Sequence, residues 1–351
     1  MTRMHIPGRP RHWLSMLGTV ALAAAAVTAV TVTPAPAVTG VPAFYLTINV
    51  GVRGTAAPQV DAHRTSDGAV TSTLPTASGW RTEDVSAAAS DRTFFVAEQH
   101  GEFTCPSDRF LEFKVAGSGV ITGVHQVGSR VSGMIGSLTS SPGGTRLAYT
   151  TVCTTPAHPE PVWVVHVMDL ASGAVSSWTS APKATGTADV TEAGEDALAW
   201  TANGKSLSFA YQWKPSQAYF DDMAVVLLNP DGGSGTLQAH SRVVWHQDTR
   251  CGPGPCVFNA WISPSGTSLM AEAIGASGLT LERLTLPAGR TAAVLFRTPV
   301  KSTGVGVPEP PAWLDGSGTY WLVVAGTQLG WVRQGLFHRL QPAGSTAAAT
   351  W

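Results

Sequence analysis

The chain has 351 residues, 22 Lys and Arg against 23 Asp and Glu, and only 13% charged residues. That length suits one large domain. Removing residues 1–37 takes away three basic and no acidic side chains and leaves a net charge of −4, which argues against nucleic acid as a partner.

The first 40 residues read as a targeting segment. Arg3, Arg9 and Arg11 precede an uncharged, Ala- and Val-rich run, Trp13–Val32, and Pro34-Ala-Pro-Ala37 follows it. Ala35-x-Ala37 is an acceptable signal-peptidase site. The run is also long enough to span a bilayer. A cleaved signal peptide and a retained signal-anchor helix both stay open. The basic start places the N-terminus inside and the rest outside. The expected location is extracytoplasmic, secreted or anchored to the cell membrane by residues 13–32. Membrane contact is expected only through that segment.

Beyond it a repeat sets the fold. Ala260–Glu272 reads as an apolar strand, a Ser-Pro-Ser-Gly turn and a second apolar strand. Copies of the turn are Ala89–Phe95, Ser141–Leu147, Thr201–Leu207, Ser263–Leu269 and Asp315–Trp321. Their fourth residues, Arg92, Gly144, Gly204, Gly266 and Gly318, stand 52, 60, 62 and 52 residues apart. Short strands at such a period point to propeller blades. Pro pre-sets φ and Gly supplies φ > 0 in the turn. Arg92 breaks the pattern, so its turn is longer or holds Arg in a costly conformation. Trp200, Trp261 and Trp313 precede the turns at the repeat spacing and read as packing between blades.

A second hairpin follows each first one, as in Val60–Val70 and Val165–Val175. Two hairpins make a four-stranded blade. The fold class is therefore all-β, a six-bladed β-propeller of four-stranded antiparallel blades, preceded by the hydrophobic signal or anchor helix. Residues 1–40 form the targeting segment and 41–342 the propeller, with blades at about 44–74, 85–127, 135–179, 197–246, 258–297 and 311–340. Residues 343–351 form a tail that can take part in ring closure. The first blade lacks an opening hairpin and the last a closing one; strands from both termini repair both defects and remove sheet edges.

Four cysteines in an exported chain indicate disulfides. Cys105 and Cys153 follow the second strands of neighbouring blades and form the natural pair. Cys251 and Cys256 would close a small loop between blades four and five. Paired C-x-x-C spacing for zinc is absent.

No nucleophile elbow, H-E-x-x-H, Walker loop or Rossmann glycine pattern occurs. His63 and His166 lie in alternating strands and read as structural or surface residues. His100, His158 and His246 fall in or near loops and, with Asp108, Asp221, Asp222 and Asp248, could line a shared face; the competing reading leaves them as solvated loop residues. The most suggestive stretch is Tyr211–Asp222, where Trp213, Tyr219 and Phe220 accompany Asp221 and Asp222. Aromatics beside carboxylates suit carbohydrate, peptide or protein contacts; the competing reading packs them onto the propeller rim. With Gln99–Asp108 and Val152–Pro161 this stretch makes the candidate binding face. Glu98 and Glu272, after equivalent second strands, are the first acids to check for catalysis.

The Ser-Pro-x-Gly-x-x-Leu hairpins at 141–147 and 263–269 resemble those of TolB-like and WD-repeat-like propellers. Segments 89–95 and 200–207 make the chain similar to exported, mostly uncharacterised propellers of high-GC Gram-positive bacteria. The resemblance implies a fold and a location and carries over no catalytic residue. The function expected is a binding platform for a protein, peptide or cell-wall component, with no cofactor beyond an axial calcium that the sequence leaves open. The alternative is a propeller-mouth enzyme of lactonase, glycosidase or lyase type, whose site would draw single residues from several blades.

Overall fold

The computed structural model describes residues 40–49, 58–88, 90–101, 104–155, 158–179, 189–193, 198–214, 222–247, 256–275, 278–286, 289–298, 312–315, 319–325, 328–342 and 346–351. The targeting segment, residues 1–39, lies outside them. Among the described residues no helix is long and apolar enough to cross a membrane.

Strands β1 (Phe44–Asn49), β2 (Gln59–Arg64) and β3 (Val70–Pro75) open the first blade. The second blade is β4 (Trp80–Ala87), β5 (Thr93–His100), β6 (Ser107–Val115) and β7 (Ile121–Ser132). The third is β8 (Met134–Ser140), β9 (Arg146–Thr155), β10 (His158–Asp169) and β11 (Val175–Thr179). The fourth holds β12 (Asp189–Ala193), β13 (Ala199–Trp200), β14 (Leu207–Lys214) and β15 (Asp222–Leu228); the two-residue β16 (Gly235–Thr236) precedes its outer strand β17 (Ser241–Gln247). The fifth is β18 (Cys256–Ile262), β19 (Ser268–Gly275), β20 (Gly278–Thr285) and β21 (Thr291–Thr298). The sixth is β22 (Ala312–Leu314), β23 (Trp321–Ala325), β24 (Gln328–Arg333) and β25 (Leu336–Pro342), and β26 (Thr346–Thr350) follows it.

The six sheets confirm the propeller. Each runs in antiparallel order from an inner to an outer strand, and the first sheet is ordered β26-β1-β2-β3. Leu46 pairs with Thr350 and Thr47 with Ala349, so the first blade takes its inner strand from the far end of the chain. The sequence reading leaves the last blade without a closing strand; β25 supplies it. Two blades depart from four strands. In the fourth, β12 and β13 both pair with β14 as two pieces of one inner edge. The third gains β16, which pairs in parallel with β11 across Trp178 and Gly235. That addition helps leave Trp178 fully buried.

The repeated turn has one physical design. Its first residue closes a backbone hydrogen bond with the residue five further on, at Ser141 and Arg146, Thr201 and Ser206, Ser263 and Ser268, and Asp315 and Tyr320. The first side chain then caps the resuming strand. Ser141 Oγ accepts from the Arg146 amide at 3.0 Å, Thr201 Oγ1 from Ser206 at 3.2 Å, and Asp315 Oδ1 from Tyr320 at 2.7 Å. Ser, Thr and Asp recur there because each offers a short side-chain acceptor.

Arg92 is corrected by the same bonds. In the second blade the pair is Ala88 and Thr93, so the register starts one residue earlier than the sequence alignment placed it. Asp91, not Arg92, occupies the position of Gly144, Gly204 and Gly266. Asp91 has φ 48°, against 63°, 65° and 72° for those glycines. Asp is among the few non-glycine residues that tolerate this region. Arg92 is then free to reach the Phe44 ring of the first blade, 5.1 Å away.

Apolar side chains fill all six gaps between blades. Leu46, Ile48, Phe94 and Phe113 pack blades one and two. Phe95, Phe110, Ile135 and Tyr149 pack two and three. Trp163, Trp178, Trp200 and Phe209 pack three and four. Val225, Trp245, Val257 and Leu269 pack four and five. Trp261, Leu281, Trp321 and Val332 pack five and six. Tyr45, Tyr320, Leu329 and Trp351 close six onto one. Trp200 and Trp261 therefore lie between blades as the repeat implies; the Trp313 side chain lies outside the described residues.

The Trp261 ring is 7% exposed and stands 5.5 Å from the Trp321 ring. Trp261→Ala is expected to cost about 3–5 kcal/mol, read as a fall in the denaturation midpoint; an unchanged midpoint contradicts this placement. Cys105 and Cys153 are bonded, 48 residues apart in sequence, and join blades two and three. For a loop of that size the chain-entropy relation gives about 4 kcal/mol. Reductant should lower the melting temperature of the wild type by clearly more than that of Cys105→Ser/Cys153→Ser.

Candidate functional site at the loop end

The propeller has two unlike ends. First-to-second strand turns and third-to-fourth strand turns lie at one, the turn end. Second-to-third strand connections and blade-to-blade connections lie at the other, the loop end. Turns between first and second strands share the design above. Loop-end connections range from the single residue Gly133 to residues 299–311.

The candidate face belongs to the loop end. His100 ends β5, is exposed, and its ring lies 5.2 Å from Trp80. His158 opens β10, Trp213 lies near the end of β14 and Asp222 opens β15; their side chains lie outside the described residues. Tyr219, Phe220 and Asp221 lie outside them altogether, as does Cys251, and Cys256 is described only as the backbone start of β18. Of the stretches read as long loops, Val152–Pro161 proves largely stranded and Tyr211–Asp222 is stranded at both ends, residues 215–221 lying outside the described residues. β9 and β10 extend to Thr155 and from His158, and Tyr211–Lys214 belongs to β14.

Glu98 and Glu272 are corrected in the same way. Both are 2% exposed within second strands rather than on the rim. Glu98 is paired with Arg109 at 2.6 Å, and Glu272 accepts from Asn259 Nδ2 at 3.2 Å. His63 and His166 are structural. Each ring stacks on a cross-strand tyrosine, Tyr45 or Tyr149, and Nε2 meets a threonine hydroxyl, Thr47 at 2.9 Å or Thr151 at 2.8 Å. Burial lowers both pKa values, that of His166 to about 4.

The second blade holds a polar cluster that sequence spacing does not reveal. Strand alternation splits its loop end into two layers. Toward blade one, above Phe94 and Val96, lie Glu98, Arg109, Trp80 and His100. The Arg109 guanidinium stands 4.1 Å from the Trp80 ring centre, and Arg130 lies 5.0 Å from it. Toward blade three, above Phe95 and Ala97, the register aligns Arg81, Gln99 and Asp108. Arg81 bridges Glu83 and the Gln99 carbonyl, the latter at 2.5 Å.

Asp108 is fully buried. Among the described residues its two oxygens and Gln99 Nε2 close no hydrogen bond of normal geometry, although the Ile135 amide, as a backbone donor, lowers the carboxyl's pKa. Burial first, and then the Glu83 charge, push the Asp108 carboxyl up to about 7, against the pull of Ile135 and Arg81. Burial raises Glu83 as well, opposed by Arg81. Two carboxyls with raised affinity for protons beside one guanidinium can hold or pass a proton near neutral pH. Among the described residues no group of three or more His, Cys, Asp or Glu gathers in a way that could hold a metal ion.

These shifts set opposite pH limits. Asp108 favours the folded state while protonated, fully so below the ordinary carboxylate range and no longer once pH rises through about 7. His166 favours it while neutral, fully so above the ordinary imidazole value and no longer once pH falls to about 4. Asp108→Asn should remove the stability loss between the ordinary carboxylate range and about pH 7 and leave the acid limb in place. A variant whose unfolding midpoint tracks the wild type across neutral pH contradicts the assignment.

No protein-family model matches the sequence, and no curated protein matches it. Solved structures share its fold. A protein of unknown function from Bacteroides caccae is 12% identical over 88% of this chain and 98% of its own, with a TM-score of 0.48. The periplasmic gluconolactonase of Pseudomonas aeruginosa is 16% identical over 87% and 98%, with a TM-score of 0.49. An oligogalacturonate lyase in complex with manganese is 13% identical over 83% and 73%, with a TM-score of 0.45. At these values the likeness carries no argument about this chain.

Proposed function

We propose that the chain is an extracytoplasmic propeller that binds a protein, peptide or cell-wall component at its loop end. One observation carries the reading. Four of the first turns share a self-capped design, while the described connections at the opposite end vary and lie beside the Glu83 and Asp108 carboxyls. Binding residues collect on variable connections held by a rigid scaffold. The disulfide between blades two and three supports a location outside the reducing cytoplasm. Trp213, Tyr219, Phe220, Asp221, Asp222, His158 and His100 are the proposed contacts.

The test is calorimetric titration with soluble peptidoglycan fragments and a panel of peptides. Joint replacement of Trp213, Tyr219 and Phe220 by Ala should weaken whichever ligand binds by at least about tenfold, with the melting temperature unchanged. Retention of full affinity in that variant removes the loop-end assignment.

A second reading has its own support. The buried Asp108 carboxyl, held near neutrality beside Glu83, suits a propeller-mouth enzyme of lactonase, glycosidase or lyase type. Turnover of a lactone, aryl glycoside or polyuronate that Asp108→Asn abolishes while keeping ligand affinity would install it.

A further inference from the structure

Among the described residues the turn end carries a surplus of exposed basic side chains. At the turn end the exposed side chains include Arg64, Lys114, Lys205, Arg290, Arg333 and Arg339, drawn from blades one, two, four, five and six. Among the described residues only Arg64 of these is ion-paired, with Asp67. The other exposed carboxylate here, Asp231, is paired with Arg146. Asp169 accepts from the Ser172 amide and hydroxyl, and Asp91 and Asp315 are buried. The surplus is positive on a chain whose total is −1. The described carboxyls with raised pKa, Glu83 and Asp108, lie at the opposite end.

The basic end has a seat. An open cleft of about 570 Å³ is lined by Arg64, Arg92, His338 and Arg339 beside Pro42 and Phe44. Three guanidiniums and an imidazole around one cleft suit a phosphate group, which arginine binds through paired N–H donors.

We propose that the turn end docks on an anionic phospholipid surface, with a headgroup phosphate in this cleft. The inference rests on the chain being held outside a membrane, as in the function proposed above; it does not depend on what the loop end binds. The sequence favours lipid over a soluble polyanion. Residues 33–40 join the uncharged Trp13–Val32 run to the propeller and span no more than about 28 Å when fully extended. They lead to β1, which begins at the turn end beside the cleft. Docked in this way, the propeller points its loop end away from the bilayer.

The test uses the full chain reconstituted with vesicles of phosphatidylcholine alone or mixed with phosphatidylglycerol. A fluorophore is placed at Ser66→Cys, exposed in the turn after β2, or at Ser78→Cys, exposed at the loop end. The vesicles carry a headgroup-attached quencher. The Ser66 probe should be quenched on anionic vesicles, released by high salt and spared on neutral ones, while the Ser78 probe stays unquenched throughout. Joint replacement of Arg64, Arg290 and Arg339 by Gln should reduce the salt-sensitive quenching by more than about tenfold, with unchanged melting. Equal quenching on neutral and anionic vesicles, or quenching shared by both probes, overturns the proposal. So does arginine-dependent binding to soluble dextran sulfate with no lipid-dependent quenching, which makes the face a polymer site.

Discussion

Everything in this fold depends on face-to-face packing of twisted sheets around a closed ring. A blade buries each face only if it has a neighbour on both sides, so the ring tolerates no gap. Antiparallel pairing of β1 with β26 supplies the closure. The Tyr45, Tyr320 and Trp351 rings make the last interface, with Tyr45 and Trp351 fully buried. Since the strands alternate, one register decides which side chains face the preceding blade and which the following one. Phe94 and Phe95 are sequence neighbours that serve different interfaces for this reason.

The same alternation builds the polar cluster. At the loop end of blade two the strands extend past the apolar layer, and the next residues in each row are Glu98 with Arg109 on one side and Gln99 with Asp108 on the other. The first row is matched charge for charge. The second leaves Asp108 beneath the loop end with only Arg81 and the Ile135 amide to offset its burial. That imbalance separates a structural ion pair from a group able to do chemistry.

Most of the fold was legible because its repeat is a backbone requirement written in side chains. Ser141, Thr201, Ser263 and Asp315 announce the turn, and a glycine three residues later confirms it at Gly144, Gly204 and Gly266. Blade two was misread by one residue because Ala88 cannot cap and Asp91 stands where glycine is usual, leaving only backbone bonds to set the register. The Cys105–Cys153 pair was legible because both cysteines stand at or just past the loop end of the second strand of adjacent blades. Asp108 was not. Its burial comes from blade three, and its neighbours Arg81 and Glu83 lie on another strand, so no local spacing marks it. The basic character of the turn end was hidden likewise, since its exposed cations Arg64, Lys114, Lys205, Arg290 and Arg339 come from five blades far apart in sequence.

The closing strand also orders the life of the chain in time. β26 comes last in sequence and β1 first, yet they are partners in the first blade. During synthesis or export that blade emerges with its inner edge bare and stays so until five further blades have passed. The first blade to appear is thus the last to be completed. Its exposed edge is an open template for pairing with other chains, so crowding in the compartment where folding finishes bears on this blade before any other.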